Sequence, residues 1–268
     1  MTPEEHVQAA SSLLDAEQTH EQIDLLSQRY PDIGMDDAYK IQNAIYKAKI
    51  AAKRTVIGWK IGLTSKAMRS ALGIDIPDSG ILFDNMLFNS GQSIPKTRFI
   101  QPRIEAEIAF VMKSDIGSDP NITREDVIAA TDYVAPSIEI LDTRIKRIDS
   151  KTGKTRSIFD TISDNAANAG IVIGNEKHAI DAVDLRWVGV ITSRNDEVEE
   201  TGLGAGVLND PIESVVWLCH RMAQYGQVIK AGHVVLSGSF IRPVECTPGS
   251  HIACDFGTFG NVEITFEG

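Results

Sequence analysis

This chain has little cysteine, no cationic excess and no long apolar run. Its three cysteines, Cys219, Cys246 and Cys254, are odd in number, and none belongs to a Cys-x-x-Cys pair. That argues against a disulfide framework or a structural zinc site and fits a reducing cytosol, so a cytoplasmic location is expected. Lys and Arg number 26 against 37 Asp and Glu, a net charge of −11. A nucleic-acid binder would usually show a basic stripe, so no nucleic-acid partner is expected. No apolar stretch approaches the ~18 residues that span a bilayer. No cationic segment leading into an apolar core opens the chain, so neither a membrane partner nor a secretory signal is expected. Catalytic signatures are missing as well: there is no Walker lysine loop, no His-Glu-x-x-His and no Gly-x-Ser-x-Gly. Gly202-x-Gly204-x-Gly206 has Val207 where a dinucleotide fingerprint needs its third glycine, and it is expected to follow a charged segment, not a strand. The six histidines are scattered without metal-ligand spacing, and Trp59, Trp187 and Trp217 are expected in the core.

What is present is an alternation of helices and strands. Thr2-Pro3-Glu4-Glu5 reads as a helix start, with Thr2 as N-cap and Glu5 closing a capping box. Apolar residues at helical spacing predict helices over 3–17 and 36–53, after a turn at Tyr30-Pro31-Asp32-Ile33-Gly34. Strands are predicted at 55–63, 104–112, 133–141, 169–173, 185–193, 233–237 and 262–266. Helices are expected near 123–130 and 211–225, the latter with Asp210 as N-cap and Pro211 at its first position. The polar stretch 143–157, with Arg144, Lys146, Arg147, Lys151, Lys154 and Arg156, is expected as a basic loop, either a mobile lid or a solvated hairpin.

The chemistry concentrates in Arg103-Ile104-Glu105-Ala106-Glu107-Ile108-Ala109-Phe110. Side chains alternate along a strand, so Glu105 and Glu107 share a face ~7 Å apart, while Ile104, Ala106 and Ile108 fill the other. Two neighbouring carboxylates in an apolar strand repel one another and resist burial. A cation between them removes both problems, and Glu139, flanked by isoleucines in Ser137-Ile138-Glu139-Ile140-Leu141, could be a third ligand. Three carboxylate oxygens suit Mg²⁺ or Mn²⁺. The solvated edge of an amphipathic strand would show the same local pattern.

Further candidates surround this strand. Lys60, in Gly58-Trp59-Lys60-Ile61-Gly62-Leu63-Thr64-Ser65, must find an anion among its apolar neighbours or else point to solvent. Asp78, in the expected loop Ile76-Pro77-Asp78-Ser79-Gly80, could be held rigidly as a general base, or belong to an ordinary turn. The run from Phe159 through Ser163 to Gly170 reads as a polar loop whose donors, Ser163 among them, could bind a carboxylate. Leu236-Ser237-Gly238-Ser239-Phe240-Ile241-Arg242-Pro243 ends a strand in a glycine turn that offers Ser239 and, as an anion partner, Arg242.

Taken together, these segments resemble the hydratase and decarboxylase branch of the fumarylacetoacetate hydrolase superfamily. The matching stretches are Gly58 to Ser65, Pro77 to Gly80, Pro102 to Phe110, Pro136 to Glu139 and Asp160 to Gly170, in family order along nearly the whole chain from Ile23. The resemblance implies an α/β (α+β) fold: a mixed β-barrel-like core of the fumarylacetoacetase C-terminal type (76–268) behind a helical N-terminal region (1–75). It implies a homo-oligomer, a decamer of five dimers or a related ring. It implies an Mg²⁺ enzyme (Mn²⁺ possible) of aromatic catabolism, in the homoprotocatechuate route. Its small-molecule substrate would be a 2-hydroxy-2,4-dienoate or its 2-oxo tautomer, and the reaction hydration. Under it Glu105, Glu107 and Glu139 are the metal ligands and Lys60 and Asp78 the catalytic pair, with Ser163, Ser239 and Arg242 binding substrate. The Ser239–Arg242 turn and the basic stretch before Phe159 point to a dicarboxylate of seven carbons. A five-carbon monoacid, a decarboxylation, or a non-catalytic metal-binding or scaffold role are the alternatives. Ser79 stands where relatives would carry an aromatic residue.

Overall fold

Three helices open the chain: α1 (Pro3–Thr19), the single-turn α2 (Leu26–Arg29) and α3 (Met35–Ala51). Then follow β1 (Val56–Gly62), α4 (Lys66–Leu72), β2 (Asp78–Phe83), β3 (Leu87–Asn89) and β4 (Ser93–Ile94). The middle of the chain is β5 (Arg103–Met112), α5 (Arg124–Ala130), β6 (Thr131–Leu141), α6 (Ile158–Ser163) and β7 (Asn168–Ile173). It ends with β8 (Gly189–Arg194), β9 (Glu197–Leu203), α7 (Pro211–Gln224), β10 (Val234–Leu236), β11 (Val244–Glu245), β12 (His251–Asp255) and β13 (Asn261–Phe266). The structure, a computed structural model, describes residues 1–72 and 74–268. Among them no helix is long and apolar enough to cross a membrane.

The caps form as the sequence dictates. Thr2 Oγ1 accepts the Glu5 N–H at 3.2 Å, and Glu5 Oε2 accepts the Thr2 N–H at 2.7 Å. Asp210 accepts the Ile212 N–H at 2.9 Å at the start of α7. Helices α1 and α3 bury Ala9, Ala10, Leu13, Ile41 and Ile45 in a core of their own, shared with Leu25, Leu26 and Ile145.

Eight strands form one mixed sheet in the order β2-β1-β10-β5-β6-β7-β3, with β11 on the edge of β5. Partners directly opposite in a sheet share a face. Lys60 stands opposite Gly80 and Leu236, Leu236 opposite Ala109, Glu105 opposite Glu139, and Gly62 opposite Asp78. Counting in twos along each strand therefore gathers Lys60, Asp78, Glu105, Glu107 and Glu139 on one face. A small apolar cluster of Leu82, Ala109, Ile171, Val234 and Leu236 floors that face. The opposite face, with Ile61, Ile104, Ile108, Phe110, Ile138 and Ile140, enters the main core. A second sheet, β4-β13-β12-β8-β9, buries Ile252, Cys254, Val262 and Ile264 in that same core.

Five expectations are corrected here. Asp78 opens the buried strand β2 and is not in a loop, because its pairing with Gly62 extends the ladder right up to Pro77. The stretch after Ser157 is helix α6, started by a Ser157–Asp160 capping box, and is not a polar loop. Leu185–Trp187 is a 3-10 turn before β8, and Trp187 is 74% exposed and outside the core. The charged run before Gly202 is itself strand β9, whose place at a sheet edge lets its glutamates reach water. The basic stretch is only partly solvated: Arg144 is buried, with Nε 2.5 Å from Asp164 Oδ1.

Candidate active site

A cavity of about 710 Å³ opens over the polar face of the sheet. Lys60, Asp78, Glu105 and Gly62 of the sheet line it together with Arg103, Arg156, Ser157 and Thr161, and Ile74, Leu141, Ile158, Ile241 and Pro243 supply apolar wall. One oxygen from each of Glu105, Glu107 and Glu139 lies within 4.8 Å of the others. Glu107 and Glu139 are fully buried.

Each of these two buried carboxylates has one oxygen held and one free. Glu107 Oε2 accepts the Gly238 N–H at 2.7 Å, and Glu139 Oε1 accepts from Asn168 Nδ2 at 2.7 Å. Glu107 Oε1 and Glu139 Oε2 are buried with no hydrogen-bond partner. A buried anionic oxygen left unpartnered costs upwards of ~1–3 kcal/mol. The residues therefore fit a divalent cation: hard oxygen donors, net negative charge, and orphaned oxygens within reach of one point.

The electrostatics carry the same message. Burial, with Glu139 beside it, pushes Glu105 up to about 7, against the pull of Lys60 and Arg103. Burial and the two neighbouring glutamates raise Glu107 well above the carboxylate range, and burial raises Glu139 although Lys60 and Asn168 oppose it. Lys60 Nζ lies 3.5 Å from Glu139 Oε1 and 3.9 Å from Asp78 Oδ1. Burial alone would lower its pKa, but Glu139, Asp78, Glu105 and Glu107 outweigh burial and raise it, so the side chain is an ammonium. Asp78 is raised by burial despite Lys60, and its Oδ1 has no hydrogen-bond partner.

Space around this pair is made by glycine. A Cβ on Gly62 would lie 2.2 Å from Asp78 Oδ1 and 2.9 Å from Lys60 Nζ. Gly238, whose amide holds Glu107, has a φ of +110°, and a Cβ there would meet Thr64 at 2.5 Å. Next to the cavity, Asn165, Ala166 and Ala167 have φ of 51°, 52° and 60°. Three consecutive left-handed residues other than glycine are strained, and such strain collects at functional sites. The Asn165 side chain pins the turn, accepting the Ile81 N–H at 2.8 Å and donating to the Ile81 carbonyl at 2.9 Å.

Of the residues singled out from the sequence, Glu105, Glu107, Glu139, Lys60 and Asp78 come together. Ser239 lines the cavity, its hydroxyl engaged with the Ile241 backbone. Ser163 is buried in α6 away from the cavity lining, and its hydroxyl lacks a partner. Arg242 lies outside the lining too: its side chain is 78% exposed and pairs with Glu200 at 2.6 Å. Asn168, Gly62 and the Asn165 turn were not anticipated. Gly62 could have been, since it sits two residues from Lys60 and so shares its face. The three cysteine thiols are buried, Cys219 and Cys254 pushed up to about 12 by burial, which removes them as nucleophiles.

No family model matches the chain. Its fold is that of a yeast fumarylacetoacetate hydrolase family protein, at a TM-score of 0.55 and 14% identity, over 78% of this chain and 91% of that one. The chain belongs to the hydratase and decarboxylase branch of the fumarylacetoacetate hydrolase superfamily. It is 46% identical over 261 residues, 97% of each chain, to 2-oxo-hept-4-ene-1,7-dioate hydratase of Escherichia coli. Among solved structures it is similar to 4-oxalocrotonate decarboxylase from Pseudomonas putida G7, complexed with magnesium and adipate. The TM-score is 0.92 and the identity 32%, over 99% of this chain and 98% of that one.

Proposed function

We propose that this protein is a divalent-cation-dependent hydratase that adds water to 2-oxo-hept-4-ene-1,7-dioate to give 4-hydroxy-2-oxoheptanedioate. The observation that carries the reading is the grouping of three glutamates within 4.8 Å, with the Lys60 ammonium 3.5 Å from one of them, beside a cavity of substrate size that Glu105 and Lys60 line. The 46% identity to a hydratase of that name supports the choice of reaction.

Glu105, Glu107 and Glu139 would hold Mg²⁺, or Mn²⁺ in its place. Such an ion supplies Lewis acidity toward the carboxylate and 2-oxo end of the substrate. Lys60 faces the same end, where its fixed positive charge stabilises the oxygen that becomes negative as a proton leaves carbon 3 or returns to it. Asp78 would accept a proton and orient water, a role supported by its burial and its unpartnered oxygen. A proton taken from carbon 3 of the 4-ene and returned to carbon 5 moves the double bond to carbons 3 and 4, and in that 2-oxo-3-ene tautomer carbon 4 is conjugated to the C2 carbonyl and electrophilic. Hydroxide from water bonds there, and the water's remaining proton ends on carbon 3.

A hydrolytic carbon–carbon cleavage would call for a histidine–carboxylate pair, and no histidine is among the cavity residues. The similarity to a decarboxylase keeps loss of CO₂ as the second reading. Incubation of the purified protein and Mg²⁺ with C5, C6 and C7 dienoates, followed by mass spectrometry, separates the two. Gain of one water supports the hydratase; loss of one CO₂ from a diacid would replace it with the decarboxylase; no change in any substrate would leave a binding protein. A homo-oligomer belongs to this reading, supported by the exposed apolar Trp187, Ile191, Val198 and Leu203. A monomer in sedimentation velocity would remove that part.

A further inference from the structure

The cavity is polarised along one strand. On β5 the residues Arg103, Glu105 and Glu107 follow one another on the same face, with ~7 Å between successive members. The anionic centre thus lies at one end of the row and a guanidinium at the other. A second guanidinium, Arg156, comes to that end from the segment before α6 and also lines the cavity.

These two cations are short of anions. Among the described residues Arg156 forms no ion pair within 4.0 Å; its Nη1 donates to Thr143 Oγ1 at 2.6 Å. Arg103 has Glu245 at 4.0 Å, but that carboxylate is taken by Arg147 at 2.5 Å, and Arg103 Nε is buried without a hydrogen-bond partner. Burial, together with Arg103, Arg147 and Arg144, holds Arg156 below the usual arginine range, with Asp164 acting against them. A charged group pressed by burial and like charges gains most from a carboxylate brought to it.

We propose that Arg156, assisted by Arg103, is the subsite for the far carboxylate of a dicarboxylate whose other end is held at the Glu105–Glu107–Glu139 centre. This rests on the hydratase reading and deepens it by naming the residues that hold the substrate's far carboxylate. The dimensions agree for Arg103: a seven-carbon chain has six bonds of ~1.5 Å between its terminal carbons, roughly 7–8 Å end to end once the bond angles fold them into a zigzag, about the ~7 Å that separates Arg103 from Glu105 along the strand. Leu141, Ile158, Ile241 and Pro243 line the space between with apolar surface for the carbon chain. The exposed Arg242, paired with Glu200, has no part in it.

The test compares two saturated seven-carbon ligands that differ only in the far carboxylate, heptanedioate and heptanoate, titrated into the Mg²⁺-loaded protein. A charge-assisted pair predicts tighter diacid binding by roughly 10- to 150-fold. Arg156→Ala should remove most of that ratio, Arg156→Lys should keep part of it, and Arg103→Ala should reduce it less. Arg242→Ala should leave it as in the wild type. Equal binding of the two ligands, absence of diacid binding, a ratio that survives Arg156→Ala, or one that collapses in Arg242→Ala would each overturn the subsite. Turnover is scored apart from this. A wild-type protein that binds the diacid preferentially yet adds water to none of the dienoates would retain the subsite and lose the hydratase.

Discussion

With divalent cations withheld by a chelator, the stability of this protein should fall with rising pH, and Glu105→Gln should blunt the fall. Glu105 titrates at about 7 in the folded chain against an ordinary 4.5. Between those values the folded state keeps a proton that the unfolded state has released. The stability contributed by that proton is fully present below 4.5 and is lost as pH rises through 7. The gap, 7 − 4.5, is about 2.5 units, or ~3 kcal/mol at 1.36 kcal/mol per unit. For a chain near this size that is ~6–12 °C in Tm, at ~2–4 °C per kcal/mol. Glu107 and Glu139 are raised as well, so they push in the same direction and the cluster titrates as a unit. The assay is thermal unfolding of chelator-treated wild type and Glu105→Gln from pH 5 to pH 8. The wild type should lose the more, and at pH 8 the variant should be the more stable of the two. Mg²⁺ should restore the wild type at pH 8, because it binds the folded state alone. Parallel pH curves for the two metal-free proteins would refute the reasoning.

Three other outcomes are expected. Lys60→Ala should lower kcat by ~10²–10³-fold with a smaller change in KM, because its charge is needed most where an oxyanion develops; steady-state kinetics showing a rise in KM alone would make Lys60 a binding residue. Gly62→Ala should fold, by circular dichroism, yet lose on the order of 10²-fold in kcat, since the new methyl would occupy the place of Asp78 Oδ1 and crowd Lys60 Nζ; wild-type turnover would show that the pair need not be where it stands. Asn168→Ala should weaken Mg²⁺ binding by ~10–100-fold in calorimetric titration, because Glu139 loses the amide that orients it; an unchanged dissociation constant would make Asn168 a bystander.

The clustering of the three glutamates was legible because it is written in strand periodicity. Glu105 and Glu107 alternate with Ile104, Ala106 and Ile108, so a β reading puts them on one face, and Glu139, set among isoleucines, joins them through its pairing opposite Glu105. Most strand and helix positions followed in the same way, as did the caps at Thr2 and Asp210. What escaped depends on contacts distant in sequence. Asp78 looks like turn chemistry beside Pro77, and only its pairing with Gly62 makes it a strand residue. Arg242 follows the Ser239 turn, but Glu200 on β9 draws it outward to solvent. Arg144 and Arg156 look alike in a basic stretch. Asp164 takes the first into the interior, while the second is left facing the cavity. Trp187, read as core, is at the surface because its 3-10 turn precedes β8 and does not extend it.

The pairing of β5 with β6 has a consequence for how the chain finds its alignment. Sliding β5 by one residue would exchange its two faces. Glu105 and Glu107 would then be driven among Ile61, Ile138 and Ile140, where no partner waits for them, and Ile104, Ile108 and Phe110 would be stranded on the polar face. The carboxylates thereby act as alignment marks during folding: a pairing slipped by an odd number of residues buries charge in oil. A deletion of one residue within β5 should for that reason be far more damaging than its length suggests, and a deletion of two should be the better tolerated.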